Sequence, residues 1–276
     1  MKFLSKFYIG LIFFILYAPI LLVIVFSFNG SGSLSSFSDP TFYWYRELFQ
    51  DKEALTALKN SLFLAVASSV LATVIGTLAA FSISRTRNKY YQRTVESVSN
   101  IPMMNPDIVT GVSMMLLFVG VGAIVKMEDV LGVWTMLFAH TTFNLPYVIL
   151  SVLPKFRQMD KNLTEAALDL GCTPAQTFLR VELPYIMPGV ISGLMMGFTL
   201  SLDDFVISHF VSSPDFKTLP LYIYNQTAHE VKFSMYALCT LMIVVILGLL
   251  IAVNFAGAVG EKKSRKKDAR AKGVTP

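Results

Sequence analysis

Residues 7–28 carry no charged side chain. At a rise of about 1.5 Å per residue, a helix of that length crosses a hydrocarbon core of about 30 Å. A helix apolar on every side belongs in lipid or in the centre of a large core. Lys2 and Lys6 ahead of an apolar run also fit a cleaved secretion signal. Such a signal has an apolar part of about 7–15 residues closing in a small-x-small site. This run is longer and ends Phe26-Ser27-Phe28-Asn29, which favours an uncleaved anchor.

Further apolar runs at 62–83, 101–124, 131–153, 185–211 and 236–256 bring the expected spans to six, in an all-α polytopic membrane protein. A composition of 54% apolar and 15% charged residues agrees, since a soluble chain of 276 residues carries more charge. An even number of spans puts both termini on one side, and the basic residues say which. With the ends inside, the inner segments hold Lys2 and Lys6, then Arg85 to Arg93, then Lys155 to Arg180, then the cluster Lys262 to Lys272. The outer segments keep only Arg46, Lys52, Lys59, Lys126, Lys217 and Lys232, so both termini are expected in the cytoplasm. The net charge of +5 is then a topology signal and not a nucleic-acid footprint. Cys172 falls in an inner loop and Cys239 in the last span, where they can neither pair nor share a metal.

The expected division is an N-terminal anchor with its external loop (1–60), a transmembrane domain (61–256) and a basic tail (257–276). The external loop offers Asp39 as N-cap and Pro40 as first residue of a short surface helix. The inner connection 154–184 is longer than a helical hairpin requires and is patterned. Asn162 is positioned to cap a helix with Glu165 completing a capping box, Gly171 supplies a left-handed stop, and Thr173-Pro174 with Gln176 opens a second helix. Leu163, Leu168 and Leu170 add apolar surface that suits a docking partner.

Glu165-Ala166-Ala167, then Gly171, then Val181 and Leu183-Pro184, resembles the penultimate cytoplasmic loop of permeases of binding-protein-dependent ABC importers. Val181 stands where that family commonly has Ile. From about Tyr43 onward the likeness is strongest to spermidine and putrescine permeases of the PotC type, carried by Asn105-Pro106-Asp107-Ile108-Val109, Phe198 to Asp204, Ser212-Ser213-Pro214 and Leu219-Pro220-Leu221. The resemblance implies a type I ABC importer permease (MetI-like) fold in a bacterial inner or plasma membrane. It implies that Glu165, Ala166, Ala167, Gly171, Leu183 and Pro184 couple to a partner ATPase. It implies as partners a second permease subunit, a cytoplasmic ATPase dimer and an external polyamine-binding protein. ATP and Mg would sit on the ATPase and no cofactor on this chain. No Gly-rich phosphate loop ending in Lys-Ser/Thr is present, so ATP chemistry is not expected here.

An ionised carboxylate at the centre of a span costs about 2.5–3.5 kcal/mol on insertion scales, so such residues face cavities or partners. Asp107, expected a few turns inside the third span, and Asp203 and Asp204 in the fifth are of this kind. With Asn105 and His140 they form the candidate cargo path, because a polyamine asks for carboxylates to balance its ammonium groups. Gly189, Gly193, Gly197 and Ser201 make a small-residue ridge that turns Asp204 into the bundle and Asp203 about 100° away from it. The structural alternative has Asp204 capping a helix or pairing with a neighbour such as His209. His140 and Asn144, one turn apart before Pro146, are equally able to satisfy each other. Other cargoes (ferric ion, phosphonate, an organic cofactor) and an ion-coupled secondary transporter stay open, although no inverted repeat supports the latter.

Overall fold

The computed structural model describes residues 2–33, 35–86, 88–127, 129–228, 232–248 and 251. In chain order its helices are α1 (Lys2–Phe26), α2 (Tyr43–Gln50), α3 (Lys52–Arg85), α4 (Lys89–Met104), α5 (Asp107–Val125), α6 (Val133–Gln158), α7 (Lys161–Asp169), α8 (Pro174–Thr177), α9 (Leu183–Asp203), α10 (Val206–Val211) and α11 (Leu219–Thr227), then α12 (Phe233–Gly248). A π-helical turn, Phe178–Glu182, joins α8 to α9. Among the described residues five helices are long and apolar enough to cross a membrane. The sixth expected span, 236–256, lies partly outside the described residues, which hold the shorter apolar helix α12 there, and the basic tail lies wholly outside them.

Two compact units divide the chain, one of Met1–Thr56 with Tyr222–Phe255 and one containing Ala57–Leu221. In the first, the apolar window of α1 buries nothing against the rest of the chain, as a lipid-facing helix should. Buried Asn29 then folds the serine-rich turn behind it. Its amide donates to the carbonyls of Ser33 and Ser36, both at 2.8 Å, and its Oδ1 accepts from the Ser38 N–H at 3.0 Å. The Gly30 N–H bonds the Ser38 carbonyl and the Thr41 N–H bonds the Phe28 carbonyl, which holds residues 38–41 out of a helix. The surface helix therefore starts at Tyr43 and not at Pro40. Asp39 does not cap it, taking φ 36° instead, while the Thr41 hydroxyl accepts from the Tyr43 N–H.

Asp51 joins α2 to α3. Its carboxylate accepts from the N–H groups of Glu53 and Ala54 at 2.9 and 3.0 Å and from the Tyr222 hydroxyl at 2.7 Å. Burial pushes its pKa up. The backbone N–H of Ala54, the Tyr222 hydroxyl, the Glu53 N–H and the charge of Lys232 outweigh burial and hold the carboxyl below its ordinary value. Burial, reinforced by the hydrogen bond to Asp51, raises the Tyr222 hydroxyl far above its ordinary value.

The second unit is organised by α9 lying along α6. A Cβ added at Gly189 would meet the Ser151 carbonyl at 2.8 Å, and one at Gly193 would meet Val148 Cα at 3.3 Å. Gly197 faces Asn144 and Ser201 faces His140, so the four-residue ridge read from the sequence is a close helix seam. Gly76 of α3 packs onto Val148 from another side, and Ala72, Ala80, Val148, Val152 and Ile186 are fully buried together.

Two spans depart from the expected limits. The apolar run 101–124 is cut, because Pro106 has no N–H and forces Asn105 to an extended ψ of 142°, ending α4 at Met104. Asp107 is thus the first residue of α5 and not a residue several turns inside a span. The fifth span ends at Asp203, where Asp204 turns extended, and α10 is a separate helix.

Gly189→Val is expected to destabilise the protein by about 1–3 kcal/mol or more, since the added methyls meet backbone. Gly120→Ala, with open space around it, should leave the melting point in detergent unchanged. Tyr222→Phe should cost about 1 kcal/mol near neutral pH. Because folding lowers the Asp51 pKa, that stabilisation is present above the unfolded value of about 3.9 and fades as pH falls through the lower folded value. Melting curves of the two proteins should converge in acid.

Candidate functional site

The patterned loop 154–184 folds as two short helices. Asp160, not Asn162, caps α7, its side chain accepting the Asn162 N–H at 3.0 Å. The two Asx residues are two positions apart, and the helix begins after the first because Asp160 takes extended φ/ψ (−68°, 124°). Glu165 is therefore the fifth helical residue and makes no capping box. At the other end the Cys172 N–H bonds the Ala167 carbonyl and the Gly171 N–H bonds that of Leu168, with Gly171 at φ 85°. This is a Schellman stop that a Cβ would strain. Thr173 and Gln176 make the reciprocal capping box expected of them, with Pro174 at N1.

On α7, Thr164 and Ala167 face inward, while Leu163, Glu165, Ala166, Leu168 and Leu170 face outward. Leu170 is 86% exposed. The loop thus presents a short, partly apolar rim with one carboxylate. Leu183 begins α9, half-buried, and Pro184 follows, exposed.

A second constellation lies in the helix seam. His140 is fully buried, with Nδ1 2.8 Å from the Ser201 hydroxyl, Nε2 3.2 Å from the Ser208 hydroxyl and 3.6 Å from Asp204 Oδ2. The Ser68 hydroxyl donates to that of Ser201 at 3.0 Å. One proton assignment serves the whole chain: Ser68 to Ser201, Ser201 to Nδ1, and Nε2–H to Ser208. Asp204 accepts from the N–H groups of Ile207 and Ser208 at 3.3 and 2.8 Å, so it caps the first turn of α10. The ionisable group standing 3.6 Å from its Oδ2 is His140, from α6. Four helices (α3, α6, α9 and α10) are tied by this network. Asn144, beside Gly197, is fully buried with both amide atoms unpaired among the described residues.

The remaining candidates share no hydrogen bond with that network among the described residues, although Asp203 adjoins Asp204. Asn105 and Asp107 are exposed at the break between α4 and α5, and Asp203 is exposed at the end of α9. The residues that sequence reasoning missed are Ser68, Ser201 and Ser208 as partners of His140, and Glu182 beneath α7. A histidine inside an apolar run is a signal that polar partners stand opposite it. No spacing rule says which.

These features define a helical membrane permease, and the chain belongs to the family described as "Binding-protein-dependent transport system inner membrane component", which it matches over residues 72–260. It is an inner-membrane transport component of the ABC importer class with the MetI-like fold. Within the family it is similar to the putrescine transport system permease protein PotI of Escherichia coli (strain K12), 36% identical over 84% of this chain and 82% of the relative. It is 38% identical to the spermidine/putrescine transport system permease protein PotC of the same organism, over 86% and 87%. A chain of a bacterial ABC transporter that imports the acidic polysaccharide alginate shares the fold at TM-score 0.72 and 18% identity, covering 95% of both chains. A chain of the inward-facing MetNI methionine transporter does so at 0.58 and 20%, covering 86% of this chain and all of the other.

Asp204→Ala removes the α10 cap and is expected to cost about 1 kcal/mol or more. Asp204→Asn retains an acceptor for the Ile207 and Ser208 N–H groups and should lose clearly less. Thermal unfolding of the two purified variants checks the order.

Proposed function

We propose that this chain is one of two permease subunits of an ATP-driven polyamine importer, spanning the membrane six times with both termini in the cytoplasm. Loop 154–184 faces the cytosol, where α7 seats in a dimeric ATPase that holds ATP and Mg and supplies the motion. An external polyamine-binding protein delivers the cargo, and a second permease completes the pathway. The observation that carries the coupling is the sidedness of α7: Thr164 and Ala167 anchor it, while Glu165, Ala166 and three leucines are offered outward. A solvated loop has no use for that apolar rim, and a partner groove does. Gly171, Leu183 and Pro184 set where the loop stops and where α9 resumes.

Cargo class is supported by the similarity to spermidine and putrescine permeases over more than four fifths of both chains. Exposed Asp107 and Asp203, with Asn105 beside the first, are the groups available to balance ammonium charges along the path. Asp204 and His140 belong to the same path region, fixing the break in the chain after Asp203.

Uptake of labelled spermidine tests this in cells that lack their own polyamine import and express the chain with its ATPase, partner permease and binding protein. Asp107→Asn and Asp203→Asn should each lower uptake about tenfold, the order expected for one lost charge-assisted contact. Full uptake by both variants would point to a cargo without multiple positive charges.

A further inference from the structure

Glu182 is the one fully buried acidic side chain among the described residues, and no part of the loop pattern accounts for it. It ends the π-helical turn Phe178–Glu182. The Leu183 N–H reaches back five residues to the Phe178 carbonyl. Pro184 next in line has no N–H, and its ring cannot pack against the carbonyl four residues behind it, that of Arg180, in a normal α turn. The wider turn accommodates the proline and re-aims the side chains ahead of it, a common use of single π turns. One result is that Glu182 points beneath α7.

There its Oε1 accepts from two elements at once. Arg85, at the C-terminal end of α3, pairs with it. The Thr164 hydroxyl, on the inward face of α7, donates to it at 3.0 Å. Arg85 is itself held. Its guanidinium carbon lies 5.3 Å from the Phe81 ring centroid, and Phe81 packs edge-on against Phe178 of the π turn at 4.9 Å. The end of α3 is closed by Gln92, whose amide donates to the carbonyls of Ile83 and Thr86 at 3.0 and 2.7 Å. Arg85 and Glu182 are therefore fixed points of the membrane helices, and Thr164 is the polar contact that α7 makes with them. Ala167, one turn on, adds only a methyl group.

We propose that Glu182 is a positioning residue that transmits force between α7 and the spans: displacement of α7 is carried through Thr164 to Glu182, and from there to α9 directly and to α3 through Arg85. This rests on the reading of α7 as the ATPase-docking helix. A loop that only docks needs its outward rim. A loop that also moves the spans needs a rigid inward link, and a charged acceptor shared by two donors in a water-poor site is stiffer than a methyl contact.

The test uses the complete transporter, reconstituted in vesicles, with ATP hydrolysis and spermidine uptake measured on the same preparation. Thr164→Val keeps the shape of the side chain and removes the donor. Glu182→Gln keeps the shape and removes the charge. Each is expected to raise the ATP hydrolysed per spermidine imported at least about fivefold, the scale of one lost hydrogen bond, while hydrolysis and recovery of the complex stay at the wild-type level. Combining both should raise the ratio no further than Glu182→Gln alone, because they cut the same link. Thr164→Ser, which restores the hydroxyl, should return the ratio to wild type. A wild-type ratio in both single variants would overturn the proposal. So would a proportional loss of hydrolysis and uptake, the mark of a merely structural role. If the wild-type complex imports spermidine without needing ATP, the docking reading falls too; a coupled wild type with unaltered variants removes Glu182 alone.

Discussion

The close approach of α6 and α9 is the contact on which the rest of the structure depends. In lipid there is little hydrophobic gain in bringing two helices together, so association rests on dispersion contacts and on polar groups that need partners. Glycine at 189, 193 and 197 lets the backbones meet, and the same register sets Ser201 against His140. One end of α9 then has to carry Leu183 and Pro184 out to the loop, and the other has to stop at Asp203. Both candidate regions are thus positioned by one seam. A side chain larger than hydrogen at Gly189 would meet backbone and displace them together.

Three buried polar groups inside the unit are answered from other elements, while Asn144 keeps both amide atoms unpaired among the described residues. His140 of α6 is answered by Ser201 and Ser208, Asp204 by the first N–H groups of α10, and Glu182 by α3 and α7. Such groups cost free energy unless paired, so each one specifies which neighbours must be present. The exposed carboxylates at 107 and 203 lie outside this system. That contrast separates groups that hold the frame from groups left free to meet something that passes.

Local chemistry was legible from the amino-acid order. Gly171 as a left-handed stop and the Thr173–Gln176 box are decided within six residues, and both stand as read. The glycine ridge was legible because its period is that of the helix. What the order concealed was settled at longer range. Asp39-Pro40 reads as a helix start, but pairing of Thr41 with Phe28 keeps that segment out of a helix. Asn105-Pro106-Asp107 interrupts the apolar run 101–124, but with the run taken as a single helix Asp107 was placed too deep. Asp160 and Asn162 are equal as caps on paper. The π turn has no sequence signature beyond Pro184, and without it there was no reason to set Glu182 beneath Thr164.

The central claim is that this loop faces the cytosol and is covered by an ATPase. Its most direct test places a cysteine at the exposed Leu170, with Cys172 and Cys239 replaced by alanine, and labels it with a membrane-impermeant maleimide. The account expects labelling in inverted membrane vesicles only, and protection when the ATPase is bound. Labelling from outside intact cells, or labelling in inverted vesicles that the ATPase does not reduce, would contradict it.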